Sequence, residues 1–340
     1  MPYLSRRAAF GTMAAIPAAA AAVFATDDAL AQGAAQDGAA QPAQQPATLQ
    51  QAPGFYRMKV GDMLVTRIND GQFTRPKPTE GFVRNAKPEE VAAALKESYL
   101  PAEALTIPLT FMAVQGGGRT VVIDTGTGGG MMPTANAGAP NMEAAGIDPA
   151  SVDTVVISHF HGDHIGGLTG PDGKARFTKA EILVPEAEWA FWMDEGQMSR
   201  APEGMKGSFQ LVRDRFGAYP QERIRRYAPG ADVAPGIRAL ASPGHTPGHT
   251  VYAVTSGQQQ LMVLSDTSNH PALFVRNPGW HAIFDMDPVQ AEETRRRLFD
   301  RVAADRMMVV GYHFPFPGVG YIGQRGRGYE FHPAQWSSSL

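Results

Sequence analysis

The stretch SHFHGDHIGG, residues 158–167, places His159, His161, Asp163 and His164 within six positions. Imidazole and carboxylate are side chains that hold divalent cations in water-activating sites. An extended start sends His159 and His161 to the same side, because alternate residues of extended chain share a face. They can grip one ion together. Asp163 and His164 follow Gly162 in a turn, so they can point to a second ion nearby. A catalytic ion needs several protein ligands on rigid supports and one position for water, and one loop cannot supply two such spheres. Downstream, His245 and His313 can complete one sphere each, and Asp266 can bridge with its two oxygens. The chemistry of such a centre is hydrolysis. A hydroxide held between two cations forms near neutral pH, because binding lowers the pKa of water from about 15.7 to about 7. It can attack an ester, lactone or phosphoryl centre without a side-chain nucleophile, while the cations polarise the attacked oxygen.

These residues follow apolar runs. VDTVVIS (152–158) is short and continuously apolar, as in a strand buried on both faces, and it leads straight into His159. GIRALASPGH puts a strand before His245, TVYAVTSGQQQLMVLSD is a hairpin ending at Asp266, and MMVVGYH runs a strand into His313. Strand ends converge on one rim of a sheet-based fold, and binding groups gather there. Elsewhere strands and helices alternate. FYRMKVGDMLVTRIND turns at Gly61-Asp62, and LTFMAVQ and TVVIDTG flank a turn at Gly116-Gly117-Gly118. PEEVAAALKES has helical spacing, and Asp287-Pro288 opens a helix that continues through QAEETRRRLFDRVAADR.

The 340 residues are 43% hydrophobic, enough for one large core or two modest ones. The net charge is −3 and no basic tract is present, which argues against a nucleic-acid partner. The absence of cysteine excludes disulfides, thiolate metal sites and a cysteine nucleophile. Ser5-Arg6-Arg7 precedes the alanine-rich FGTMAAIPAAAAAVFA, and Ala29-Leu30-Ala31 offers a small-x-small cleavage site. Residues 1–31 therefore fit a twin-arginine export signal, too short and too weakly apolar to remain as a membrane span. The expected location is periplasmic or secreted, with no integral membrane segment after removal of the signal. Residues 32–53 are almost entirely Gln, Ala, Pro and Gly and read as a flexible linker before a globular domain over 54–340.

H-x-H-x-D-H after an apolar strand, then SPGHTPGH, then LSDT, then a histidine near the C-terminus resembles the metallo-β-lactamase superfamily. The resemblance covers nearly all of residues 54–340. It implies an α/β fold, a four-layer αβ/βα sandwich with two sheets face to face and helices outside, as a single catalytic domain. By motif matching it implies a first metal on His159, His161 and His245, a second on Asp163, His164 and His313, and Asp266 as the bridge. Asp163 and Asp266 would orient the reacting water. Asp124, in VVIDTG, matches a family aspartate that supports the ligands from behind. Two divalent ions are implied, zinc first, with manganese, cobalt or iron as alternatives. Within SPGHTPGH either His245 or His249 could ligate; the match favours His245 and leaves His249 a structural hydrogen bond.

Asp266 stands where true β-lactamases of this superfamily commonly have cysteine, which argues against antibiotic hydrolysis. FYRMKVGDMLVTRINDG and HFPFPGVG look like the branch containing methyl parathion hydrolase and related lactonases and arylesterases. The function implied is an exported dimetal hydrolase of small lactones, aryl esters or phosphotriesters. Related enzymes often dimerise, so a homodimer is an open expectation. A glyoxalase II-like thioester hydrolase is the alternative, thinly supported because the tail GYIGQRGRGYEFHPAQW offers only Arg325 and Arg327. A mononuclear iron, sulfur-oxidising protein on the same fold would need fewer ligands than the seven present. For the substrate pocket the candidates are Met131, in a glycine-rich loop after Asp124, the aromatics Trp192 and Phe209, and His270. Core packing is the competing reading of the two aromatics, and a surface loop that of His270.

Overall fold

Two seven-stranded sheets take up most of the apolar runs. The structure, a computed structural model, describes Ala52 and residues 54–340. The leader expected over 1–31 and, Ala52 aside, the linker expected over 32–53 lie outside the described residues. The first sheet runs in chain order through β1 (Phe55–Val60), β2 (Met63–Pro76), β3 (Ala104–Gly116), β4 (Arg119–Ile123), β5 (Thr154–Val156), β6 (Glu181–Pro185) and β7 (Ile224–Tyr227). Its first four strands are antiparallel and β4 to β7 are parallel. The second sheet holds β8 (Asp232–Ala234), β9 (Ile237–Ala241), β10 (Thr250–Ser256), β11 (Gln259–Ser265), β12 (Met308–Gly311), β13 (Val319–Arg325) and β14 (Gly328–Pro333). Only the β11–β12 pair is parallel there.

Strand periodicity explains why the runs are apolar throughout. Val121 and Ile123 of β4 join Val156 of β5 in a core shared with Leu261 and Val263 of β11, between the sheets. Their neighbours Val122, Val155 and Ile157 point the other way, into a core with α2 (Gly138–Ala144), α4 (Glu186–Trp192) and α6 (Glu203–Gly217). Met262 and Leu264 face outward onto Leu298, Phe299 and Val302 of α7 (Pro288–Ala304). Alternate side chains leave a strand on opposite faces, so a strand covered on both sides needs no polar position. The result is helix, sheet, sheet, helix: the αβ/βα sandwich, one domain. A smaller cluster lies under α1 (Pro88–Glu97) and includes Val91, Leu95 and Phe274.

The expected turns and helices are present. β1 and β2 meet at Gly61-Asp62, and α7 starts at Pro288, with the Asp287 carboxylate accepting from Gln290 N–H at 3.0 Å. The tail GYIGQRGRGYEFHP, unassigned from its sequence, forms the β13–β14 hairpin. Its glycines and arginines mask a strand pattern in which only Ile322, Tyr329 and a few neighbours are buried. Among the described residues no helix is long and apolar enough to cross a membrane.

Candidate metal centre

The parallel register aims several strand ends at one rim. β4 ends before Asp124, β5 leads to His159, β9 to His245, β11 to Asp266 and β12 to His313. The two sheets are tied together there. Thr250 N–H donates to the Ser158 carbonyl at 3.0 Å, and the Ser265 hydroxyl donates to the Ser158 hydroxyl at 2.8 Å. Two non-glycine residues at this rim adopt left-handed backbone, Asp124 (φ 61) and Ser265 (φ 45). Such conformations persist only where surrounding contacts hold them, and they cluster at functional sites. The HIGG glycines have a steric reason: a Cβ on Gly167 would lie 2.0 Å from the Thr125 carbonyl oxygen. That close approach lets Thr125 donate both its N–H and its hydroxyl to the His164 carbonyl at 2.8 Å.

The structure brings all seven candidate ligands together, in two groups. His159, His161, His245 and Asp266 form one, and Asp163, His164 and His313 the other, each with its donor atoms within 4.8 Å of one another. His161 Nδ1 lies 3.1 Å from His159 Nε2 and 3.0 Å from His245 Nε2. Asp266 reaches both groups: Oδ2 is 3.3 Å from His245 Nε2 and 2.9 Å from His313 Nε2, while Oδ1 is 3.1 Å from His164 Nε2. Asp163 Oδ2 is 3.6 Å from both His164 Nε2 and His313 Nε2.

The surrounding hydrogen bonds set the tautomers. His164 Nδ1 lies 2.9 Å from Asp124 Oδ2, His245 Nδ1 3.0 Å from Asp285 Oδ1, and His313 Nδ1 2.9 Å from the Pro108 carbonyl. Each partner only accepts, so each Nδ1 carries a proton. Ser158 donates its hydroxyl to Asp124 at 2.8 Å, which leaves its oxygen free to accept from His159 Nδ1 at 3.1 Å. In the neutral rings, the Nε2 atoms of His159, His164, His245 and His313 are then lone pairs facing the centre. His164 Nε2 and Asp266 Oδ1 are buried and make no hydrogen bond despite their short separation. Ligand atoms converging this closely need positive charge between them, supplied either by protons, which the carboxylates draw to His164 and His313, or by metal ions. The His and Asp groups thus fit a two-metal site.

The charge states agree. Burial, followed by the neighbouring imidazoles, holds His159 and His161 well below the usual histidine range. Burial acts the same way on His164, but Asp266, Asp163 and Asp124 override it and hold that ring well above the range. His313 is raised, against burial, by Asp266 and Asp163. Burial would raise Asp266, yet His313 and His164 hold it well below the carboxylate range. The protons drawn to His164 and His313 are those that a divalent cation would displace.

Further groups support the centre. Asp124 is 2% exposed and also accepts from Ser158 N–H at 2.8 Å. His249 is occupied on both nitrogens, near the Ser242 carbonyl at 2.8 Å and accepting from Asp266 N–H at 3.0 Å, and burial pushes it down to about 3. It has no lone pair left for a metal. Sequence reasoning missed Asp285, which orients His245, and Tyr312. The Tyr312 ring stacks on His164 at 3.8 Å, and its hydroxyl donates to the Asp163 carbonyl. Adjacency to His313 was the one available signal for Tyr312; Asp285 had none.

The four pocket candidates separate. Met131 is 46% exposed and lies against Gly162 of the histidine loop, where an added Cβ would come 3.0 Å from its sulfur. His270 is buried, accepts from Ala272 N–H at 3.2 Å through Nδ1, and is pushed down to about 4 by burial and by His313. It is therefore a neutral ring with its proton on Nε2. The expectation of an aromatic wall is corrected. Trp192 and Phe209 are 1% and 0% exposed and pack on each other at 4.7 Å in the outer core. Their spacing serves that core, and neither offers surface to a ligand.

Residues 110–313 match the metallo-beta-lactamase superfamily. A Mycobacterium bovis protein described as a probable metallo-hydrolase is 27% identical over 141 residues, 40% of this chain and 43% of its own. The N-acyl homoserine lactonase AttM of Azorhizobium caulinodans is 28% identical over 189 residues, 51% of this chain and 62% of its own. The chain thus spans 43–62% of the length of these two curated relatives. Among solved structures, AbOPH, a hydrolase in the beta lactamase superfamily, superposes with a TM-score of 0.80 at 26% identity, covering 85% of this chain and 100% of that one. AidC, a dizinc quorum-quenching lactonase in complex with a product, gives 0.79 at 22% identity, over 84% and 99% of the two chains, and shows the shared fold. On its residues 110–313, the chain belongs to the metallo-beta-lactamase superfamily.

Proposed function

We propose that the protein is a two-metal hydrolase of small, neutral esters, with lactones first and aryl esters and phosphotriesters next. The observation that carries this reading is the convergence of seven imidazole and carboxylate side chains from both sheets into two groups, each with its ligand atoms within 4.8 Å of one another. His159, His161 and His245 would hold one ion, Asp163, His164 and His313 the other, with Asp266 shared. Zinc is the proposed metal. Bound there, two divalent ions supply water ionisable near neutral pH and a Lewis acid for the attacked oxygen. The carboxylates of Asp163 and Asp266 would accept hydrogen bonds from the reacting water and set its direction. Asp124 keeps the His164 proton on Nδ1.

The substrate class rests on charge and on kinship. Among the described residues the two buried arginines, Arg67 and Arg295, are committed to internal partners: Arg67 to the Gly311 carbonyl at 3.0 Å, Arg295 to Asp285 at 3.0 Å. Neither is available to an anionic substrate, and Met131, an exposed apolar residue against the histidine loop, suits an apolar one. The lactonase activity named for AttM makes acyl homoserine lactones the first compounds to assay. Export of the folded enzyme is proposed from the residue 1–31 leader.

The test is a panel of lactones, aryl esters and phosphotriesters on purified protein, before and after chelation and after return of zinc, manganese or cobalt. Turnover that chelation abolishes and metal restores supports the reading. Metal-loaded protein inert toward the whole panel ends it.

A further inference from the structure

Glu188 is a carboxylate with 0% exposure. Its Oε2 accepts from Phe160 N–H at 3.0 Å and from the Trp192 indole N–H at 2.8 Å. Its Oε1 accepts from Gly248 N–H at 2.6 Å. Phe160 stands between His159 and His161, and Gly248 between His245 and His249. These two loops leave different sheets, one after β5 and one after β9. The approach is close enough to demand glycine: a Cβ on Gly248 would lie 2.5 Å from the Glu188 nitrogen. Among the described residues Glu188 has no salt-bridge partner. An ionised carboxylate buried without a cation is costly, and three N–H donors offset that cost only in part. Packing alone would be served better by an apolar side chain of the same size.

We propose that Glu188 is the positioning residue of the first ion site, clamping the His159–His161 loop to the His245 loop so that their three nitrogens meet at one point. The inference rests on the two-ion reading above. Neither clamped N–H belongs to Asp163, His164 or His313, and although His164 N–H donates to the His161 carbonyl, His164 is also held by Asp124 and Thr125, so the second site should be affected less. Glutamine is the informative replacement. Its NH2 group turns toward at least one of the N–H donors and pushes that loop away.

Cobalt(II) alone, titrated into metal-free protein and followed by its visible spectrum, tests this. Asp163→Ala removes a ligand of the other set and provides a reference spectrum for the first site. Wild type should bind two ions. Glu188→Gln should bind one ion as wild type does and the other about 10- to 100-fold more weakly, with the first-site spectrum the one that is lost. Amide hydrogen exchange in the metal-free variant should rise at residues 159–161 and 245–249 and stay unchanged at Tyr312 and His313. Trp192→Phe keeps the charge and two of the three hydrogen bonds, and should weaken the same site by less. It carries the test if Glu188→Gln does not fold. Two ions bound with wild-type affinity by the folded variant, or equal weakening of both, overturns the role of Glu188. Fewer than two ions on wild type overturns the two-ion reading instead; unchanged exchange at both loops would then still overturn the clamp.

Discussion

Asp285 holds His245 with one oxygen and Arg295 with the other, each at 3.0 Å. Arg295 is 1% exposed, and its remaining N–H groups reach the Thr267, Pro278 and Trp280 carbonyls at 2.7–2.9 Å. Asp285→Ala therefore strips a proposed ligand of its orienting partner and leaves a buried cation unpaired. The expected loss is about 3–5 kcal/mol of stability and about 10- to 100-fold in affinity at the first ion site. Asp285→Asn still offers His245 an acceptor, so it should recover metal affinity but not the charge pairing. Urea midpoints and metal titrations on both variants separate the two effects. Asparagine as poor as alanine at binding metal would refute the orienting role.

Tyr312 bears on the second group. Tyr312→Phe keeps the 3.8 Å stack on His164 and removes the hydroxyl that satisfies the Asp163 carbonyl. A fully buried acceptor left without its donor costs about 1–3 kcal/mol, and this part-buried one should cost less. The variant should unfold at lower urea and bind one of two ions more weakly, the reverse choice to that of Glu188→Gln. Identical spectra for the cobalt-loaded Tyr312 and Glu188 variants would contradict the division of the site.

Two glycine-to-alanine changes should have opposite signs. Gly167→Ala forces a methyl within 2.0 Å of the Thr125 carbonyl and must displace the loop that holds His164. Overpacking of this kind costs about 1–3 kcal/mol or more, with metal binding impaired. Gly207, inside α6, has nothing within 4 Å of the same methyl and an ordinary helical backbone. Gly207→Ala should stabilise by about 0.4–1 kcal/mol and leave metal binding alone. Thermal melts of the two variants are the check, and a shift in the same direction for both would be the wrong result.

The end of the sheet away from the centre carries a pH-dependent contact. Lys179 donates to Asp153 Oδ1 at 2.7 Å and Thr120 N–H to Oδ2 at 2.9 Å, and these bonds hold the Asp153 carboxyl below its ordinary 3.8. Because the folded value is the lower one, the stabilisation is present above pH 3.8 and fades as pH falls through the folded value. Wild type should exceed Asp153→Asn in urea midpoint at pH 7, and the gap should close in strong acid. A gap that widens on acidification would reverse the sign assigned here.

Much of the centre can be read from the chain because its carriers are local. HFHGDH puts four donors on one loop, and continuous apolar runs such as VDTVVIS announce strands covered on both faces. Those strands and their ends follow from periodicity of side-chain direction, a property of the backbone alone, and the start of α7 from the Asp287-Pro288 cap. Periodicity says that a face is buried but not what lies against it. Trp192 and Phe209 show the consequence: the sequence left both core packing and a pocket wall open for these aromatics, and their burial decided for the core.

The supporting groups lay outside sequence for the same reason. Glu188 meets Gly248 across 60 residues, and Ser265 meets Ser158 across 107. Each contact depends on how one sheet stacks on the other. By itself the sequence determined the candidate ligand types, their order and the strand ends that carry them. The tertiary structure decided which histidine nitrogens face the centre and which buried carboxylates hold them there, because a tautomer is set by a neighbour that the chain supplies from elsewhere.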